Sequence, residues 1–212
     1  MPRIQTGMIV SGPYSADAKS AGKRSLGNAA LNMITRFDGG AAAQLQFETA
    51  TNMTMQLAAL GSLMMIGKGD DASAQFRTQW RDDRLVMDKW FGLTVGRATP
   101  KDAAATALRL TKEPDFDITN PNRFRAVFGA LSGNTAGFHD ASGVSYRLMG
   151  EWLAKLDKIN PQTTARMTKT FETWRHYDAD RQSQICEVLK ALGSIPNISR
   201  DTSEMVERIL GN

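Results

Sequence analysis

Apolar residues recur three and four positions apart along nearly the whole of this 212-residue chain, and no convincing alternation of apolar and polar residues interrupts them. Side chains at that spacing share one face of a helix, so each segment has to hide its stripe against another helix. The expected class is therefore all-α, with about ten helices joined by short loops. Helix pairs linked by short turns stack into a right-handed superhelix of antiparallel pairs of the armadillo or HEAT type, although no fixed-length repeat is visible. A compact bundle is the alternative.

The strongest start signal opens the stretch from Asn160 to Gln182. Asn160 offers a capping oxygen, and Pro161 stands where its missing N–H costs nothing. Read as one helix, the stretch puts Met167, Phe171 and Trp174 on an apolar face, with Arg166, Thr170, Thr173 and Tyr177 beside it. Packing accounts for the first stripe. The second sets a permanent positive charge next to a phenol and two hydroxyls, either as a solvated flank or as a surface facing a cavity or a bound peptide.

Other helices are expected from Asp17 to about Phe37, with Leu26, Ala30 and Ile34 on one face, and over 41–49. Asn52 caps a Met-rich helix whose stripe is read as core, and Ser73 to about Asp82 carries Phe76 and Trp80 one turn apart. RLVMDKWFGLTVG continues as a more buried helix, and Thr99, Pro100 and Asp102 start the next. Asn120-Pro121 opens a helix with Phe124, Val127, Phe128 and Leu131 inward, leaving Arg123 and Arg125 for other uses. Residues 133–143 are the least helical stretch of the second half. Beyond them come a helix reaching about Ile159, one capped by Asp178 with Ile185, Leu189 and Leu192 inward, and one with Asp201 and Glu204 in a capping-box pattern. Residues 1–13 read as a poorly ordered leader and 14–212 as a single helical domain.

A chain of this length buries about 70% of its unfolded surface, enough for a sizeable core. No run approaches the roughly 20 apolar residues of a membrane span, and the start, MPRIQTGMIVSG, has no signal-peptide pattern. The bacterial cytoplasm is the default expectation, with no membrane partner. Cys186 is the one cysteine, which excludes an internal disulfide, and it reads as a small buried hydrophobe. The net charge of +4 comes from 26 Lys plus Arg against 22 Asp plus Glu spread along the chain. Phosphate tracking needs a concentrated basic face, so nucleic acid is not an expected partner.

Catalytic motifs are not found. A zinc peptidase needs two His one turn apart with a Glu between them, and the two histidines here, His139 and His176, are far apart in sequence. Glu172, His176 and Asp180 would share a face only in a helix running through Asp178. No nucleophile elbow, dinucleotide fingerprint or phosphate loop is present. His139 beside Asp140 reads as an orienting pair or as a tie between loop and helix, the latter preferred.

Six segments, in order, carry a resemblance: ATNMTMQLAAL (50–60), LVMDKWF (85–91), NPNRFR (120–125), FHD with SGVSY (138–146), NPQTTAR (160–166) and RHYDADRQ (175–182). Together they resemble the C-terminal domain of bacterial aminopeptidase N, the alanyl aminopeptidase family of zinc metallopeptidases. The resemblance runs from about Tyr14 to the end of the chain.

What the resemblance implies is a cap. Family members place zinc, general base and substrate amino-terminus recognition in other domains, so this chain is expected to hold no catalytic residue and no metal. The zinc would sit in the catalytic domain of the same polypeptide, which becomes the expected partner, with the parent's peptides as substrates. By motif position Arg125 and Arg166 resemble arginines that face the internal cavity, and Tyr177 joins them as a substrate-channel residue. A permanently charged, forked donor suits a peptide backbone or carboxylate. A freestanding helical-repeat module that binds a protein or peptide is the other class to weigh.

Overall fold

The structure, a computed structural model, describes residues 2–211 and arranges them as helices and turns, with no strand among the described residues. Two compact units divide at Met87 and Asp88.

In the first unit, α1 (Pro2–Gly7) lies within the 1–13 stretch read as a leader and packs on α2 (Ala18–Thr35). α3 (Ala41–Thr49), α4 (Met53–Met65) and α5 (Asp70–Trp80) follow. Asp17 and Asn52 cap α2 and α4, accepting from the backbone N–H of Ser20 and Met55, two of the donors a helix start leaves open. Gly40 enters α3 at φ +97, a left-handed turn that a side chain would strain. Leu31, Phe47, Leu60, Leu63 and Phe76 form the core. Beside it the Gln46 side-chain amide donates to Asn28 Oδ1 and the Met55 carbonyl, both at 3.0 Å, so this buried amide is not left unpaired.

α6 (Arg84–Gly96) crosses the division and buries Trp90, Phe91 and Val95. The second unit continues with α7 (Ala103–Leu110), α8 (Pro121–Phe124), α9 (Ala130–Gly133), α10 (Thr135–Phe138), α11 (Val144–Asp157), α12 (Pro161–Thr168), α13 (Ala179–Gly193) and α14 (Arg200–Leu210). α8 and α9 are the ends of one rod joined by a π turn at Arg125–Gly129. Phe124 stacks on Phe128 at 4.6 Å between ring centres, and Phe138, Tyr146, Leu153, Phe171, Leu189 and Ile209 fill the core among α10 to α14. Asp157, buried at the end of α11, accepts from Ser199 N at 2.8 Å, Ser199 Oγ at 2.6 Å and Thr202 Oγ1 at 2.6 Å. One carboxylate thereby fixes the start of α14.

Several expectations need correction. The 160–182 stretch is not one helix. α12 stops at Thr168, two single 3-10 turns follow at Lys169–Phe171 and Trp174–His176, and Tyr177 is extended at ψ 172. Hydroxyls of Thr164 and Thr168 bond back to the carbonyls four residues earlier, and Gln182 Nε2 takes the Arg175 and Tyr177 carbonyls, so side chains compete for the groups a helix would use. α14 is capped by Ser199 rather than Asp201, which sits in its first turn, and residues 133–143 include the turn of α10. Leu26 is 50% exposed, because α2 buries the face through Arg24, Gly27 and Leu31. Arg24 holds that face inward, donating to the Ser15 carbonyl at 2.6 Å with its guanidinium 4.5 Å above the Tyr14 ring.

Arg123 is only 4% exposed, and is a structural residue rather than a spare cation. Its Nε meets Asp88 Oδ1 at 2.6 Å, its Nη1 donates to the Asp115 carbonyl, and its guanidinium lies 4.3 Å over Phe91. Removing one partner strands a buried charge, so Arg123→Ala is expected to lower unfolding free energy by about 3 kcal/mol in urea titration. Arg123→Met with Asp88→Leu, which removes both charges, is expected to recover most of that loss.

Candidate functional site

Around the end of α12 the chain leaves the helix and meets the α10–α11 loop. Asn160 accepts from Thr163 N at 2.9 Å and opens α12, whose last turn exposes Arg166. After the 3-10 turns, Trp174 Nε1 and Arg175 Nη1 both donate to the Ile209 carbonyl at 2.9 Å, and Arg175 Nη2 donates to Leu210 at 2.6 Å. These donors occupy carbonyls that the end of α14 leaves open. The segment is thus held to α14, and it delivers Tyr177 to the loop rather than to a continuous helical face.

There His139 stands between two phenols. Its Nδ1 is 2.7 Å from Tyr146 Oη and its Nε2 is 2.8 Å from Tyr177 Oη, while the Tyr177 ring stacks on it at 4.0 Å. A neutral imidazole carries one N–H and one lone pair, so one phenol donates to it and the other accepts. Arg181, on α13, donates from Nε to the His139 carbonyl at 2.6 Å and from Nη1 to Asp178 Oδ2 at 2.5 Å. Asp140 does not pair with His139. Its Oδ1 accepts from Ser142 N at 3.0 Å and Ser142 Oγ at 2.6 Å, which shapes the turn instead.

Electrostatics keep this relay neutral. Burial first, and then the Arg181 charge, hold the His139 imidazole below its ordinary 6.5. Burial pushes the Tyr146 phenol up to about 12. Next to the relay is a cleft of about 300 Å³ lined by Ala141, Asp178, Asp180, Arg181, Ser183 and Gln184. The sequence alone did not reveal the pairing of His139 with Tyr177, 38 residues away, nor the part played by Arg181.

Of the residues picked from sequence, Arg166 and Arg125 are exposed and Tyr177 is half-buried. Arg125 begins the π turn and folds back, donating from Nη2 to Asn122 Oδ1 at 2.6 Å and from Nε to the Pro121 carbonyl at 3.2 Å. The wheel that set Arg166 beside Tyr177 fails with the break after Thr168, and the same break removes the shared face of Glu172, His176 and Asp180. Among the described residues no group of three or more His, Cys, Asp or Glu is placed to hold a metal ion, and no helix is long and apolar enough to cross a membrane. Cys186 is half-buried.

A chain of short helices with a polar tie at their loops is an α-repeat domain, and comparison makes the class specific. Residues 3–211 match the family described as "Domain of unknown function (DUF3458_C) ARM repeats". The chain belongs to this family, the C-terminal helical domain of bacterial aminopeptidase N. It is 34% identical to aminopeptidase N of Caulobacter vibrioides over 99% of its own length and 25% of that protein's. With aminopeptidase N of Escherichia coli it shares 32% identity over 93% of this chain and 23% of the relative. The crystal structure of Legionella pneumophila aminopeptidase A in complex with aspartic acid superposes with a TM-score of 0.89 at 30% identity, covering 99% of this chain and 26% of that one. The chain therefore spans about a quarter of the length of these relatives.

The relay gives a signed prediction. The unfolded chain takes up the His139 proton more readily than the fold does, so stability is complete above pH 6.5 and falls as pH drops through the window below it. Chemical denaturation of the wild type is expected to show that decline as pH falls below 6.5, and His139→Gln is expected to flatten it.

Proposed function

We propose that this chain is the helical cap of a zinc-dependent alanyl aminopeptidase. It closes over a catalytic domain carried elsewhere in the same polypeptide and shapes the path by which peptides reach it. The observation that carries this reading is the alignment of 99% of the chain with a quarter of aminopeptidase N. On this reading zinc belongs to the catalytic domain, and no step of catalysis is assigned to a residue of this chain.

The chain's own contribution is to bind and orient. Arg166 offers a forked donor to a peptide carboxylate or backbone carbonyl, and Arg125, also exposed, has donors beyond the two that it gives to Asn122 and the Pro121 carbonyl. Arg166 stands at the end of α12, which Asn160 caps, and the turn that follows is held to the α14 carbonyls through Trp174 and Arg175. Tyr177 would act through a hydroxyl whose direction His139 fixes. Access from the cytoplasm of a bacterium suits a cap that admits short or unfolded peptides.

The purified chain is expected to release no alanine from an alanyl anilide and to retain no stoichiometric zinc; turnover of that substrate by the chain alone would contradict the proposal. In the full-length polypeptide, Arg166→Ala is expected to lower kcat/KM for longer peptides about five- to tenfold, the order of one charge-assisted hydrogen bond, and to leave a single-residue reporter unchanged. Equal effects on both substrates would remove Arg166 from the channel.

A further inference from the structure

A cleft of about 460 Å³ opens in the first unit between α2, α3 and residues 8–14, the segment that follows α1. That volume lies in the range of small-ligand sites. Gly27 on α2 is buried and lets the segment come close, since a Cβ there would stand 3.2 Å from the Met8 Cβ. Ile9, Tyr14 and Leu45 line the cleft and are 64%, 59% and 62% exposed. Single exposed apolar residues are ordinary on a surface, but these three converge on one concavity.

One charge stands in the same wall. Arg24 lines the cleft and is 5% exposed. Its Nη2 donates to the Ser15 carbonyl at 2.6 Å and its guanidinium is held 4.5 Å over the Tyr14 ring, so its direction is fixed. Arg123, the other buried arginine, has Asp88 as its counter-charge; Arg24 has no carboxylate within ion-pair distance among the described residues. The acid nearest in sequence, Asp17, accepts from Ser15 Oγ and Ser20 N instead. A guanidinium cannot shed its proton, and a buried charge without a partner is costly, so the site calls for an anion. No Asp or Glu lines the cleft, and an ammonium group would find no counter-charge there.

We propose that this cleft binds a small apolar carboxylate, a free acid without an α-ammonium group. Its carboxylate meets the fork of Arg24, and its apolar body lies against Ile9, Tyr14 and Leu45. Charge selects the ligand and apolar burial adds affinity. The inference does not rest on the aminopeptidase reading, and none of its residues belongs to the channel set.

The test is calorimetric titration of the 212-residue chain with 3-phenylpropionate, 3-phenylpropanamide and phenethylamine, with methionine-methyl NMR to place the ligand. The acid is expected to bind one-to-one and at least about tenfold more tightly than the amide or the amine, the order of one hydrogen bond to a charged group. Shifts are expected at the methyls of Met8 and Met55, which line the cleft. Arg24→Met is expected to weaken the acid about tenfold and to leave the amide unchanged. Arg24 also holds Ser15, so a second variant spares that contact: Thr49→Glu, at an exposed position of the wall, is expected to weaken the acid about tenfold without altering the unfolding midpoint. Equal affinity for acid and amide, shifts that bypass Met8 and Met55, or no binding of the acid by the folded chain would each overturn the proposal.

Discussion

Helices this short cannot hold themselves. The longest, α2, has 18 residues, and α8, α9 and α10 have four each. An isolated helix below about 12 to 15 residues is marginal in water, so stability comes from covering each apolar stripe with a neighbour. That constraint explains why buried polar groups collect at helix ends. Asp157 holds the start of α14, Arg123 joins α8 to α6 and the loop carrying Asp115, and His139 ties the α10–α11 loop to Tyr177. Apolar packing gives the bulk of the free energy without direction, and these ties set which loop meets which helix.

Local chemistry made the helices legible. Asn52, Asn120, Asn160 and Asp178 cap where their side chains were expected to, because capping depends on a few neighbouring residues. Boundaries failed where distant groups intervened. Nothing within 160–182 announces that Trp174 and Arg175 will be drawn to carbonyls of Ile209 and Leu210, more than thirty residues on. The structural role of Arg123 is hidden from the sequence for the same reason. Its partner Asp88 lies 35 residues back, and beside Arg125 it looked like a second free cation. A residue one turn before Val127, on a rod whose Phe124 and Phe128 point inward, sits at the edge of the buried face, and that spacing is the one local sign of its burial.

The candidate site was legible in part. Asn160, Arg166 and Tyr177 sit in the stretch that the sequence singled out, but their relation is not that of a helical wheel. Tyr177 belongs to the His139 relay, and Arg166 to the exposed end of α12. A neutral relay with one phenol donating and the other accepting ties the α10–α11 loop to α11 and to the segment after α12.

The most direct test separates this segment from the remainder of its polypeptide and brings the two back together. Calorimetric titration of the purified chain into the remainder, with parallel assays on an alanyl anilide and on a longer peptide, measures both docking and gating. One-to-one binding that changes handling of the longer peptide while leaving the anilide rate alone is the result the account predicts. No heat of binding, together with unchanged handling of both substrates, would contradict it.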